Sequence, residues 1–110
     1  MSSKVLVIIS SGDSEKALTG LMYARNAMSF GWMEDVKVIF FGPSQRLLVE
    51  NEQVKKAAKE MADQEKPFVC KFISDQDGTS EKIRGLGLKV EYVGPVISDF
   101  IQDGYVPMVF

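Results

Sequence analysis

Histidine is absent from this 110-residue chain, and cysteine occurs once, at Cys70. These two scarcities exclude several kinds of chemistry. Without imidazole there is no histidine acid/base catalysis and no Ser-His-Asp arrangement. Zinc and copper sites draw on His and Cys together, so one chain of this composition does not build a transition-metal site, and no metal ligands are assigned. A single cysteine cannot close an internal disulfide, which fits a reducing compartment. Neither G-x-G-x-x-G nor a Walker pattern occurs, and no cofactor is expected.

An excess of one charge is also missing. Thirteen Lys and Arg stand against fifteen Asp and Glu, for a formal net charge of -2. No basic stretch alternates with aromatics, so a nucleic-acid partner is not expected. The densest basic spot, Lys55, Lys56 and Lys59, is interleaved with Glu52 and Glu60 and reads as the solvated side of a helix. Long apolar runs are lacking too. Val5-Leu6-Val7-Ile8-Ile9 is too short for a signal h-region or a membrane span, which points to a cytoplasmic protein without a membrane partner.

What remains is ordinary globular usage, 45% apolar and 25% charged, in a length that suits one domain over residues 1–110. Val5 to Ile9 reads as a strand covered on both faces. Asp13 or Ser14 caps the helix that follows, with Ala17, Leu21, Ala24 and Met28 on one face and Gly31 as its stop. Val36 to Phe41 is a second strand broken by Gly42-Pro43. Helical sequence runs from Ser44 to about Gln64, with Asn51 either interrupting it or lying within it. Pro67 to Ile73 reads as a third strand, followed by a short helix capped by Thr79 or Ser80. Val90 to Val93 is a fourth strand, Val96 to Gln102 a helix, and Tyr105 to Phe110 a terminal strand placed at an edge by Pro107. Trp32, Met33, Met22, Met28 and Phe30 read as core, with a subunit interface as the alternative. Five strands alternating with four helical connections imply a three-layer α/β/α fold around a five-stranded, mostly parallel sheet.

The C-terminal segment adds a family likeness. Arg84-Gly85-Leu86-Gly87-Leu88, Val93-Gly94-Pro95-Val96-Ile97 and Phe100-Ile101-Gln102-Asp103-Gly104-Tyr105-Val106 resemble the closing segment of the DsrE/DsrF/TusD-like sulfur-relay family. The resemblance implies a DsrEF-like three-layer fold, a homo-oligomer (trimer or hexamer), a sulfur-relay protein as partner, and persulfide transfer on a cysteine. In that family the carrier cysteine sits some eight residues before the Arg-Gly pair, and Ser74-Asp75-Gln76-Asp77 stand there in this chain. Cys70 is then the one candidate sulfur acceptor, set in what reads as a buried strand, where a free thiol ordinarily acts as a small hydrophobe.

Ligands of open α/β sheets gather at the carboxyl ends of strands. That rule makes Ser10, Ser11, Gly12 and Asp13 in the first loop, Gly42 in the second, and Asp75 and Asp77 in a third loop over 74–80 the candidate ligand contacts. A noncatalytic anion- or nucleotide-binding subunit is therefore the alternative to sulfur transfer. A third reading comes from Asp75-Gln76-Asp77-Gly78-Thr79, which resembles the nucleophile motif of haloacid-dehalogenase-type phosphatases. It ranks last, because that family carries the motif after its first strand and needs a much longer remainder of chain. Asp, Gly and Thr are also what a turn with a helix cap selects.

Overall fold

The computed structural model describes residues 3–110. Five strands, β1 (Lys4–Ile9), β2 (Asp35–Phe40), β3 (Phe68–Cys70), β4 (Lys89–Glu91) and β5 (Tyr105–Val109), form one sheet in the order β4-β3-β2-β1-β5. Every pairing is parallel. Parallel neighbours need crossovers, and helices supply them: α1 (Ser14–Ser29), then α2 (Ser44–Glu50) with α3 (Glu52–Ala62), then α4 (Lys71–Asp77) with α5 (Ser80–Gly85), and finally α6 (Val93–Gln102). No helix among the described residues is long and apolar enough to cross a membrane.

Both faces of β1 and β2 are sealed. Val5, Val7 and Ile9 point with Val36, Val38 and Phe40 toward Ala17, Leu21 and Ala24 of α1, Val54, Ala58 and Met61 of α3 and Ile83 of α5. Leu6, Ile8, Ile39 and Cys70 point the other way, toward Val93, Val96, Ile97 and Phe100 of α6 and Ile73 of α4. The second face thus has one long helix over it. Ile101, Val109 and Phe41 stay exposed.

Local chemistry explains most boundaries. The Asp13 carboxylate accepts from the N–H groups of Glu15 and Lys16 and starts α1. Asn51 does interrupt the second helical stretch. It lies extended at φ -116°, ψ 116°, ends α2, and caps α3 by accepting from Val54 N at 3.0 Å.

Four expectations need correction. The fourth strand is Lys89–Glu91 rather than Val90 to Val93, because Val93 already opens α6, three residues before the expected Val96. The third strand is Phe68–Cys70, not Pro67 to Ile73, because chain direction turns into α4 at Lys71. The expected third loop is consequently mostly helix, closed by Gly78 at φ 69°. Phe30, Trp32 and Met22 are not core. They are 69%, 56% and 59% exposed, and Phe30 and Trp32 stack with centroids 5.7 Å apart, while Met28 and Met33 do pack on the first cluster.

The edge strand β5 is held by its first residue. Tyr105 is buried against Phe100, lies 5.1 Å below Lys4 Nζ, and donates its hydroxyl to Asp35 at the start of β2. Burial raises the Tyr105 pKa, and the bond to Asp35 raises it further. Burial also pushes the Asp35 carboxyl up, but the Tyr105 hydrogen bond and the Lys37 charge outweigh it, so the net shift is downward. Asp35 therefore contributes stability that is fully present above the ordinary value of 3.8 and lost as pH falls toward its lower folded value. At the other end of β5, the Phe110 ring lies against Gly20 of α1, where an added Cβ would meet ring carbons at 2.8 and 2.9 Å.

Gly20→Ala is expected to lower stability by about 1–3 kcal/mol through overpacking, read as a lower urea midpoint at unchanged m-value. In Tyr105→Phe, Asp35 should titrate at higher pH than in wild type. A carboxyl-detected NMR titration with an unmoved midpoint would contradict the role given to that hydroxyl.

Candidate functional site

Connections after β1, β2 and β3 bring helices onto the first face, whereas the connection after β4 runs through α6 across the second. Neighbouring strands whose connections part in this way leave a crevice at their carboxyl ends. Here those strands are β3 and β4, in register with Cys70 opposite Glu91. The thiol is therefore at the end of its strand rather than in the middle. It is nonetheless 6% exposed, packed in the second cluster near the start of α6.

The backbone at Cys70 is tied to its neighbour strand by one side chain. Gln45, in the first turn of α2, is fully buried; its Nε2 donates to the Cys70 carbonyl at 3.0 Å, and its Oε1 accepts from Gly42 N at 3.1 Å. Past Cys70, a polar network covers the rim. Lys71 Nζ lies 2.6 Å from Asp75 Oδ2 and 5.4 Å from the centroid of the Tyr92 ring. Ser80 Oγ donates to Asp75 Oδ1 at 2.5 Å, and the Ser74 and Ser80 hydroxyls are 2.6 Å apart. The bond to Asp75 holds the Lys71 ammonium above its ordinary range. Lys71 and then Ser80 hold the Asp75 carboxyl below its own. Both groups are thus charged at neutral pH. A protonated lysine is no nucleophile, and a carboxylate with both oxygens engaged is a poor one.

This settles where the Asp-Gln-Asp-Gly-Thr string sits. It is the end of α4 and its left-handed cap, with Gly78 N donating to Asp75 O and Thr79 N to Ser74 O. The strand-to-loop setting that phosphoryl transfer needs is not formed. Asp75 lines a hollow of about 410 Å³ with Lys71, Ser74, Ser80 and Arg84, which no residue of the first two loops reaches. Asp77 is exposed and does not line it. Among the described residues, no three His, Cys, Asp or Glu side chains converge as a metal ion requires.

The first two loops do come together, and they close on each other. An added Cβ at Gly42, which has φ 129°, would meet Ser10 Oγ at 2.8 Å, and one at Gly12 would lie 3.1 Å from Pro43 Cβ, closer than an ordinary contact. Ser10 N and Ser11 N both donate to the Phe110 carbonyl, at 2.8 and 3.2 Å. Ser11 Oγ accepts from Asp13 N, and Asp13 itself fills the start of α1. The donors expected to hold an anion at Ser10, Ser11, Gly12 and Asp13 are largely taken by the chain's own oxygens. A wider groove of about 660 Å³ lies elsewhere, along α3 at Leu86 and Gly87. Ammonium and carboxylate groups alternate along its wall, as on a solvated helix side.

No protein-family model matches the chain. No curated protein matches it either. A solved structure does: a conserved protein of unknown function, BT1422, from Bacteroides thetaiotaomicron, superposes with a TM-score of 0.87 at 23% sequence identity, over 97% of this chain and 95% of that one. At that identity the likeness shows the fold alone.

The residues that surround Cys70 were not evident from sequence. Lys71 and Asp75 are spaced i, i+4, a usable signal only once 71–77 is known to be helical. Ser80 was visible as a cap but not as a partner of Asp75. Nothing in the local sequence marks Gln45.

Because Asp13 occupies the α1 terminus, Asp13→Ala should cost about 1 kcal/mol of stability. Added phosphate should leave the wild-type melting temperature unmoved; a rise with phosphate concentration would restore the anion site.

Proposed function

We propose that the chain handles sulfur in the manner of the DsrE family, with Cys70 as acceptor in a site that is closed at rest. The observation that carries this reading is the position of the chain's one thiol, at the carboxyl end of β3 where the connections of β3 and β4 part. The interval of some eight residues, counted back from Arg84-Gly85, falls on α4, whose side chains form the rim network just past Cys70.

The chemistry is compact. The Cys70 thiolate attacks the outer sulfur of a donor persulfide, the donor's S–S bond breaks, and the donor leaves as its thiolate while Cys70 keeps the new S–SH group. At 6% exposure the sulfur is not open to a donor in the resting fold, so transfer requires the β3–α4 junction to move. A homo-oligomer belongs to the same reading, and the exposed Ile101, Val109 and Phe41 at the thinly covered second face support it. The binding-subunit alternative is the weaker one, since Ser10, Ser11 and Asp13 spend their polar groups on the chain itself.

Incubation with a small-molecule persulfide donor should add the mass of one sulfur atom at Cys70 and none in Cys70→Ser, as read by intact-mass and peptide mass spectrometry. A folded wild-type protein that gains no such mass would end the acceptor reading.

A further inference from the structure

Gln45 is a buried polar residue, and the sulfur chemistry above does not explain it. An amide with no exposed surface must satisfy both of its ends inside the fold. Its orientation follows from its partners. The Gly42 N–H can only donate and the Cys70 carbonyl can only accept, so Oε1 faces the first and Nε2 the second. Gly42 follows β2 and Cys70 ends β3, so one side chain fastens two adjacent strand exits. The Cys70 carbonyl is also the hinge point of the chain, since β3 ends there and α4 begins at Lys71. Holding that carbonyl restricts rotation about the Cys70 backbone. The thiol is then kept turned toward Val93, Val96 and Ile97. The Lys71–Asp75 pair does not do this, because both partners belong to α4 and move with it.

We infer that Gln45 is the positioning residue of this thiol: its bond to the Cys70 carbonyl keeps the β3–α4 junction shut, and a reagent reaches Sγ when that bond is released. The inference rests on the reading of Cys70 as the acceptor and specifies how access to it is governed. Ser44 supplies the control. It lies in the same turn, is equally buried, and spends its hydroxyl on a backbone carbonyl at 2.5 Å, but that carbonyl belongs to Ile9 of β1. Loss of the Ser44 bond removes a buried contact of the same turn while the Gln45 amide keeps its donor for the Cys70 carbonyl.

The experiment compares wild type, Gln45→Met, Gln45→Glu and Ser44→Ala, at urea concentrations that equalise global stability. The readout is the rate at which Cys70 displaces pyridinethione from a dipyridyl disulfide, a reagent that also works in acid. Gln45→Met at neutral pH, and Gln45→Glu at a pH alkaline enough to ionise its buried carboxyl, should react faster than Ser44→Ala at the same pH by on the order of tenfold, the factor one hydrogen bond of this kind carries. In acid the protonated Gln45→Glu carboxyl regains a donor for the Cys70 carbonyl while still accepting from Gly42, so its rate should return to that of wild type at the same pH. Equal rates in the Gln45 variants and Ser44→Ala, or no recovery of Gln45→Glu in acid, would overturn the inference. If Gln45→Met does not fold, the two pH values of Gln45→Glu decide alone. Sulfur uptake is scored separately. Wild type that takes no sulfur yet shows the Gln45 dependence ends the acceptor reading and leaves the positioning role intact, whereas sulfur uptake with Gln45-independent access ends this inference only.

Discussion

Burial of β1 on both faces is the constraint from which the rest of the structure follows. Leu6, Val7 and Ile9 have no accessible surface, although they point alternately to opposite sides. Removing such side chains from water contributes roughly 1.5–3 kcal/mol each, which no one-layered arrangement could secure for both sets. The chain must therefore put helices above and below. Parallel pairing with β2 and β5 then provides the crossovers that carry them. The parting of the connections after β3 and β4 is a by-product of this wrapping, because the chain crosses the second face through α6 on its way from β4 to β5.

Much of this was legible in the residues. The apolar run of β1, the Gly42-Pro43 break, the Asp13 cap and the edge placement of Pro107 each rest on short-range chemistry, and each stands in the structure as read. The third strand was read too long because Phe68-Val69-Cys70-Lys71-Phe72-Ile73 keeps the composition of a strand throughout. Its end is decided by pairing, since Phe40 and Glu91 finish the adjacent strands at the level of Val69 and Cys70. Sequence carries no sign of where a neighbour stops. The same limit applies to Trp32 and Phe30. Their composition belongs to a core, and only the geometry of the turn after α1 turns them outward.

The candidate site divides along the same line. Cys70 was identifiable as the one thiol, but its place at a strand terminus, and so at the crevice, depended on the misread boundary. Gln45 could not be found locally, because its two partners lie in segments three and twenty-five residues away. Polar groups in the first loop looked available for a ligand for a related reason. Their occupant, the Phe110 carbonyl, comes from the far end of the chain.

The pairing of β1 with β5 also bears on how the protein is made. Lys4 is matched with Tyr105 and Ile8 with Val109, so β1 has only β2 beside it until residues 105–109 have emerged from the ribosome. Up to that moment a row of unpaired N–H and C=O groups and the apolar side chains next to it are open to other nascent chains. Contacts this distant in sequence are slow to form. The pairing of β1 is therefore completed only after β5 has been made.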